Sequence, residues 1–231
     1  MPAEISIIVP TLNAAPHLPR CLAALMEGLS AGLIRELIVT DGGSRDATLA
    51  IADEAGAVLV RGPASRGGQL RRGCAEAKGQ WLLVVHADTV LDPGWAQKVA
   101  AHICEAGGGS AHFRLAFDTA GLRPRWVAGW ANLRAALFGL PYGDQGLLVR
   151  QSDYARAGGY PDQLLMEDVA LVRALVRGGA GKLTALPAIA RTSAEKYARD
   201  GWMRRGLRNQ WTLARYFAGA DPDVLAADYQ R

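Results

Sequence analysis

Four short apolar runs fall within the first hundred residues, and each is followed by a segment with helical spacing. "EISIIVPTL" reads as a strand and leads into a helix near Leu18 to Leu29. "ELIVTDGGS" supplies a strand over Glu36 to Thr40 and a glycine-rich turn. "SRDATLAIADEAG" then predicts a helix with Ser44 as its cap and Gly56 beyond its end. "AVLV" is a third strand, Gln69 to Lys78 a helix and "WLLVV" a fourth strand, after which Pro93 opens another helix. Apolar runs of this length alternating with helices predict a mostly parallel sheet covered by helices on both faces, an α/β architecture.

After Gly107 the rhythm changes. "SAHFRLAF" alternates and predicts a strand of a mixed sheet, and "GLLVR" predicts another. Helices are expected from Arg123 to Phe138 and from Asp168 to Arg177, the second closed by a Gly-Gly pair. A last long helix runs from about Ala194 to Phe217, with Gly201 and Gly206 as candidate breaks. With no linker and no internal repeat, residues 1–231 are expected to form one domain, divided into 1–106, 107–190 and a basic segment 191–231. A chain of 231 residues, half of them apolar, suffices for one core that buries around 70% of the unfolded surface.

Cys21, Cys74 and Cys104 are too few and too scattered for a disulfide or zinc framework and read as small buried apolar residues of a reducing compartment. The N-terminal "MPAEISIIVPTLN" has no basic leader, and no apolar run is long enough to span a bilayer, so a cytoplasmic location is expected. The net charge of +4 is uneven. Residues 191–215 hold seven Lys or Arg against two Asp or Glu, a balance of +5 that leaves the rest of the chain at −1. One basic face follows, and a nucleic-acid-binding protein does not.

In open parallel sheets, ligands bind beyond the carboxyl ends of the strands. Asp41 follows the second strand and Asp88 the fourth, so both are expected at one crevice. Each alone is explained equally well by a local Asx turn. Gly42 and Gly43 would let a flat ligand or a phosphate approach the backbone. A nucleotide diphosphate accounts for the pair, since one carboxylate can accept from a ribose or base while the other holds a hard divalent cation on the phosphates. "RGPASRGGQLRRG", Arg61 to Gly73, adds a basic loop leading into a helix; it serves either anions or solvent. GxGxxG and GxxxxGK[ST] are both absent. Further along, "PYGDQGLLVR" holds Asp144 and Gln145, and "LMEDVAL" holds Glu167 and Asp168 at a helix start. Asp168 is either a cap or a general base aimed at an acceptor hydroxyl. Only one of the adjacent carboxylates can point into a site; the other supports the turn.

"IVPTLN", "VTDGGSRDAT", "RGGQLRRGCAEAKGQWLLVVHADT", "GDQG" and "LMEDVAL", in that order, resemble a family-2 glycosyltransferase with the GT-A fold. The HAD-T, GDQ and LMED pieces are similar to short bacterial transferases often labelled arsenosugar-biosynthesis glycosyltransferases. The resemblance implies Asp41 at the nucleoside, Asp88 as the last Asp of a DxD motif holding Mg2+ or Mn2+ with the diphosphate, and Asp168 as base of an inverting transfer. It places Thr11 in the donor region, Arg66 and Gln69 in the loop before a helix near the nucleotide, and Asp144 and Gln145 on the sugar or acceptor side. His86 departs from the broad family, which often has the first Asp of DxD there. It is left to bond a ribose, donate to a phosphate or shape the turn, since a hard cation favours oxygen. The implied partners are a nucleotide-diphosphate-sugar, UDP-linked by default, and a hydroxyl acceptor. A nucleotidyltransferase and a non-catalytic nucleotide-sugar-binding accessory protein are the competing classes.

In "EKYARDGWMRRGLRNQWTLARYFAG", Met203, Leu207, Trp211 and Ala214 form an apolar stripe beside Arg204, Arg205, Arg208 and Arg215. Either the helix packs on the domain with its arginines in solvent, or it touches an anionic membrane surface at the inner face.

Overall fold

The computed structural model describes residues 4–105 and 108–230, the side chain of Gln230 excepted. The boundary placed between residues 106 and 107 falls outside them. Four strands form the parallel half: β1 (Ile5–Thr11), β2 (Ile34–Asp41), β3 (Val58–Arg61) and β4 (Trp81–Val84). The first three are each followed by a helix: α1 (Leu18–Ser30), α2 (Thr48–Glu54) and α3 (Arg66–Glu76). A short β5 (Thr89–Leu91) precedes α4 (Trp95–Cys104). The second half adds β6 (Ala111–Phe117), α5 (Leu122–Phe138), β7 (Leu147–Arg150), α6 (Gln151–Arg156) and α7 (Glu167–Leu175). It closes with β8 (Thr184–Thr192), α8 (Glu195–Asp200), α9 (Trp202–Phe217) and α10 (Pro222–Gln230).

All eight strands join one sheet, in the order β3-β2-β1-β4-β7-β6-β8-β5. β7 runs antiparallel to β4 and β6, and β8 runs parallel to β6. The expected mixed sheet is therefore present. Alternation along the strands divides the core between the two faces. Ile7, Val9 and Leu83 pack with Leu18, Leu25 and Trp95 on one face. Ile8, Leu82 and Val84 pack with Leu70, Leu171 and Leu175 on the other. Burial on both sides is why these strands read as unbroken apolar runs. Among the described residues no helix is long and apolar enough to cross a membrane.

Several local expectations are corrected. Cys21 and Cys74 are buried as expected, but Cys104 is exposed because it ends α4 at the surface. Ser44 does not cap α2, which starts at Thr48, because its hydroxyl donates to Asp41 Oδ1 at 2.5 Å. Asp46 meets the helix instead, accepting the Thr48 N–H at 3.0 Å. α3 begins at Arg66, earlier than expected, because Ser65 Oγ accepts from the Gly68 N–H. Strands β5 and β8 and helix α10 carried no reading in the sequence. The long C-terminal helix breaks at Gly201, whose φ of +85° ends α8, and it continues through Gly206.

Candidate active site

β1 and β2 end in register at Thr11 and Asp41, and β4 runs into His86, Ala87 and Asp88 beside them. A groove of about 1140 Å³ opens over the ends of β1 and β4, lined by Thr11, Arg66, Gln69, His86 and Asp88 among others. A smaller cavity of about 120 Å³ shares Arg66, His86 and Asp88 and adds Tyr142, Asp144 and Asp168. The location follows the rule for parallel sheets. The shared residues make one polar centre with two approaches.

Asp41 stands beneath this groove rather than in its lining. Its Oδ1 accepts the hydroxyls of Thr11 and Ser44, and its Oδ2 accepts the backbone N–H groups of Gly43 and Ser44. Burial would raise its pKa, but these donors outweigh it and hold the carboxyl below its usual value. Four donors from within the chain engage its two oxygens, so Asp41 ties the loop at the groove's floor, and a nucleoside would share it with the Thr11 and Ser44 hydroxyls. Gln69 is likewise committed, donating to the carbonyls of Thr11 and Thr40 at 2.8 and 3.0 Å from the first turn of α3. Gly42 leaves room for this amide, because a Cβ there would lie 2.9 Å from Gln69 Oε1. Arg66 also sits on that first turn, not in a preceding loop, with its guanidinium facing both cavities.

Asp88 is half-buried and pairs with Lys196 of α8 at 3.7 Å. Burial opposes its ionisation, yet the cationic Lys196 and Arg66 help hold its pKa below the usual value. The His86 ring is half-buried. Burial, reinforced by Arg66, pushes its pKa down to about 3, so the imidazole is neutral near pH 7. Its Nε2 is buried without a hydrogen-bond partner. The ring lies against Gly143, where a Cβ would come within 2.6 Å of Nε2.

Met166 directs the two adjacent carboxylates apart. Its left-handed conformation, φ +64°, turns the chain into α7. Glu167 goes inward at 1% exposure, and its Oε1 lies 3.5 Å from Arg66 Nε while Oε2 has no partner. Burial raises its pKa to about 8. Asp168 lines the smaller cavity. Its Oδ2 accepts the Gly143 N–H and its Oδ1 the Val169 N–H, both at 2.7 Å, so it satisfies a first-turn donor without occupying the cap position itself.

Gly143, Asp144 and Gln145 form one 3-10 turn. Asp144 faces the cavity, and burial raises its pKa to about 6 despite the nearby Arg134. Gln145 turns away: it is fully buried, donates to Phe113 O and Asn132 Oδ1, and accepts the Tyr142 N–H. It therefore shapes the turn rather than meeting a sugar or acceptor. The far wall comes from the C-terminal helices. Arg205 donates to the Tyr229 hydroxyl, which donates to Asn209 Oδ1 at 2.7 Å. In sequence Arg205 stands out only as part of a basic stripe, and Lys196, Asn209 and Tyr229 carry no site signal, because nothing local to those residues shows that α8 to α10 fold back over the sheet edge.

Among the described residues, no group of three His, Cys, Asp or Glu side chains is assembled to hold a metal. Asp88, which lines both cavities, nevertheless suits a divalent cation that takes most of its ligands from diphosphate and water.

An eight-stranded mixed sheet with paired carboxylate approaches at its parallel edge defines a GT-A domain. The chain belongs to glycosyl transferase family 2, whose model matches residues 6–148, more than half of the chain. It is 36% identical over 108 residues to a PGL/p-HBAD biosynthesis glycosyltransferase of Mycobacterium bovis, a match covering 43% of this chain and 41% of that one. A TPR repeat-containing protein of Synechococcus elongatus is 41% identical over 91 residues, covering 38% of this chain and 21% of that one. The matches thus span less than half the length of these curated relatives. Among solved structures, a mannosyltransferase from Pyrobaculum calidifontis, in complex with GDP-Man and Mn2+, superimposes with a TM-score of 0.65 at 16% identity. It covers 99% of this chain and 70% of that one. Glucosyl-3-phosphoglycerate synthase from Mycobacterium tuberculosis, with Mn2+, UDP and glucosyl-3-phosphoglycerate, gives 0.58 at 20% identity, covering 82% and 70%.

Proposed function

We propose that the chain transfers a sugar from a nucleotide-diphosphate-sugar to an acceptor hydroxyl, with inversion at the anomeric carbon. The observation that carries this reading is the shared cavity: Asp88 and Asp168 line one small space that continues into the groove over the parallel strand ends. The donor occupies the groove, with its diphosphate near Arg66 and Lys196. Asp88 would hold Mg2+ or Mn2+; the cation, when bound, neutralises charge on the departing diphosphate. Support for a divalent ion and a nucleotide-linked donor comes from the two structural relatives, one with UDP and one with GDP-Man. They leave the base undecided between them.

Asp168 acts as the base. An oxygen lone pair not used by the Gly143 or Val169 N–H takes the acceptor's proton as its oxygen bonds to the anomeric carbon. The bond from that carbon to the diphosphate oxygen breaks on the opposite side, and the electron pair leaves with the nucleoside diphosphate. Neutral His86 adds no charge to compete with a cation, and the two backbone donors keep Asp168 aimed.

The test is a donor screen with and without Mn2+, with products read by mass spectrometry. A nucleoside diphosphate and a glycosylated acceptor are expected. Pyrophosphate released from a triphosphate would point to a nucleotidyltransferase. Donor binding without any product across the screen would leave a binding protein.

A further inference from the structure

α5 is apolar on both sides. Val127, Ala128 and Ala131 pack with Leu115 and Phe117 of β6. On the opposite side of the helix, Leu122, Trp126, Trp130, Leu133 and Leu137 recur every three or four residues. All five are exposed, from 44% for Trp130 to 83% for Leu122. A surface helix normally reserves that face for polar residues. The neighbouring α9 repeats the anomaly: Asn209, Thr212 and Tyr216 lie on its inward side, while Met203, Leu207 and Trp211 point away, 52–67% exposed. Two apolar stripes on adjoining helices, with three Trp between them, exceed the scattered apolar exposure of ordinary surfaces.

The charges beside the stripes identify what covers them. Neither α5 nor α9 carries Asp or Glu; of their seven Arg, Arg134 is buried and Arg205, Arg208 and Arg215 bond to Asp200, Tyr229 and Asp228. Arg123, Arg125 and Arg204 are exposed and have no ion pair among the described residues. Pairing the face with a second copy would bring like charges together with no carboxylate on either helix to meet them. A layer of lipid phosphates complements both features: arginine meets phosphate, tryptophan sits at headgroup level, and leucine enters the acyl boundary. We propose that the outward faces of α5 and α9 dock the protein on an anionic membrane surface, lying on the bilayer without crossing it. Arg204 also lines the groove, so docking holds the groove's rim at the lipid surface, within reach of an acceptor presented there.

The test is co-sedimentation of the full chain with vesicles of phosphatidylcholine alone or mixed with phosphatidylglycerol, at low and high salt. Binding to the anionic vesicles is expected, reduced by high salt. Each of Arg123→Gln and Arg204→Gln should weaken it about fivefold at low salt. The double variant Trp126→Ser, Trp130→Ser should abolish it while circular dichroism stays native, since neither ring belongs to the buried core. Protein left in the supernatant with both vesicle types would overturn the proposal, and so would equal binding to both. Self-association in vesicle-free solution that the double-tryptophan variant removes would assign the stripe to a second copy instead. No sugar donor enters the assay, so its outcome is separate from that of the transferase reading.

Discussion

The carboxylate of Asp168 accepts the backbone N–H of Gly143 at 2.7 Å, across 25 positions of sequence. That bond ties the first turn of α7 to the 3-10 turn before β7, and it aims one oxygen of a cavity-facing acid. Asp168→Asn keeps the shape but sets an NH2 against one of two N–H donors. We expect turnover to fall on the order of 10²-fold or more, with unfolding shifted by only about 1–2 kcal/mol. Turnover, donor affinity and thermal unfolding measured on one sample decide the matter; retained turnover would reduce Asp168 to a helix-end residue.

Gly143 has a second constraint. An added methyl would lie 2.6 Å from His86 Nε2, so Gly143→Ala must displace the ring or the turn. Because a displaced turn moves Asp168's N–H partner, and a displaced ring disturbs the cavity wall that His86 shares with Asp88, turnover should drop on the order of 10²-fold while circular dichroism stays native. Wild-type activity in this variant would show that the His86–Gly143 contact does not set the catalytic geometry.

Asp88→Asn should separate activity from stability. The carboxylate is half-buried and its partner Lys196 is 55% exposed, so loss of the pair costs no more than about 1 kcal/mol. Turnover should collapse and the response to added Mn2+ should weaken. A variant with normal turnover and metal response would remove Asp88 from the proposed centre.

Asp41→Asn should behave in the opposite way. All four of its donors are internal, and although an amide can keep its oxygen on the two N–H groups and donate to the two hydroxyls, it loses the charge that strengthens all four bonds. Destabilisation of about 2–3 kcal/mol is expected, with loss of donor binding as a consequence of the disordered loop. Chemical denaturation gives the answer; full stability with weakened donor affinity would restore Asp41 as a direct nucleoside contact.

Glu167 gives a pH test. Its pKa rises from 4.5 to about 8 in the folded protein because it is buried. The folded state therefore binds more protons than the unfolded state between those values. Its contribution is fully present below about pH 4.5 and is lost as pH rises toward 8, at up to about 1.4 kcal/mol per pH unit. Glu167→Gln removes this dependence. The variant should unfold at a higher temperature than the wild type at pH 8 and lose that advantage near pH 5. Parallel stability curves for the two proteins would refute the assignment.

The strand–helix alternation was legible because both periodicities are local, and β1 to β4 bury both faces and so appear as unbroken apolar runs. Asp88 and Asp168 were legible for a related reason: one follows a strand and the other opens a helix, and both positions face the same sheet edge in an α/β fold. Of Glu167 and Asp168 only one was expected to enter a site and the other to support the turn; Glu167 instead lies buried against Arg66, a residue far away in sequence.

Composition and periodicity alone determined an α/β domain with polar residues gathered at the carboxyl ends of its strands, since backbone hydrogen bonding and burial of apolar faces permit few other arrangements. Whether a polar side chain is free or already committed was decided only in three dimensions. Asp41, Gln69 and Gln145 look like ligand contacts in sequence, yet their partners are Thr11 and Ser44, Thr40 and Phe113, brought beside them by strand pairing and turn closure. Lys196 and Tyr229 show the converse. Nothing near them in the chain marks them as cavity residues, and they become so because α8 to α10 return across the sheet's edge. Hydrogen-bond capacity is finite and is shared among groups distant in sequence, so its allocation follows from the packed structure.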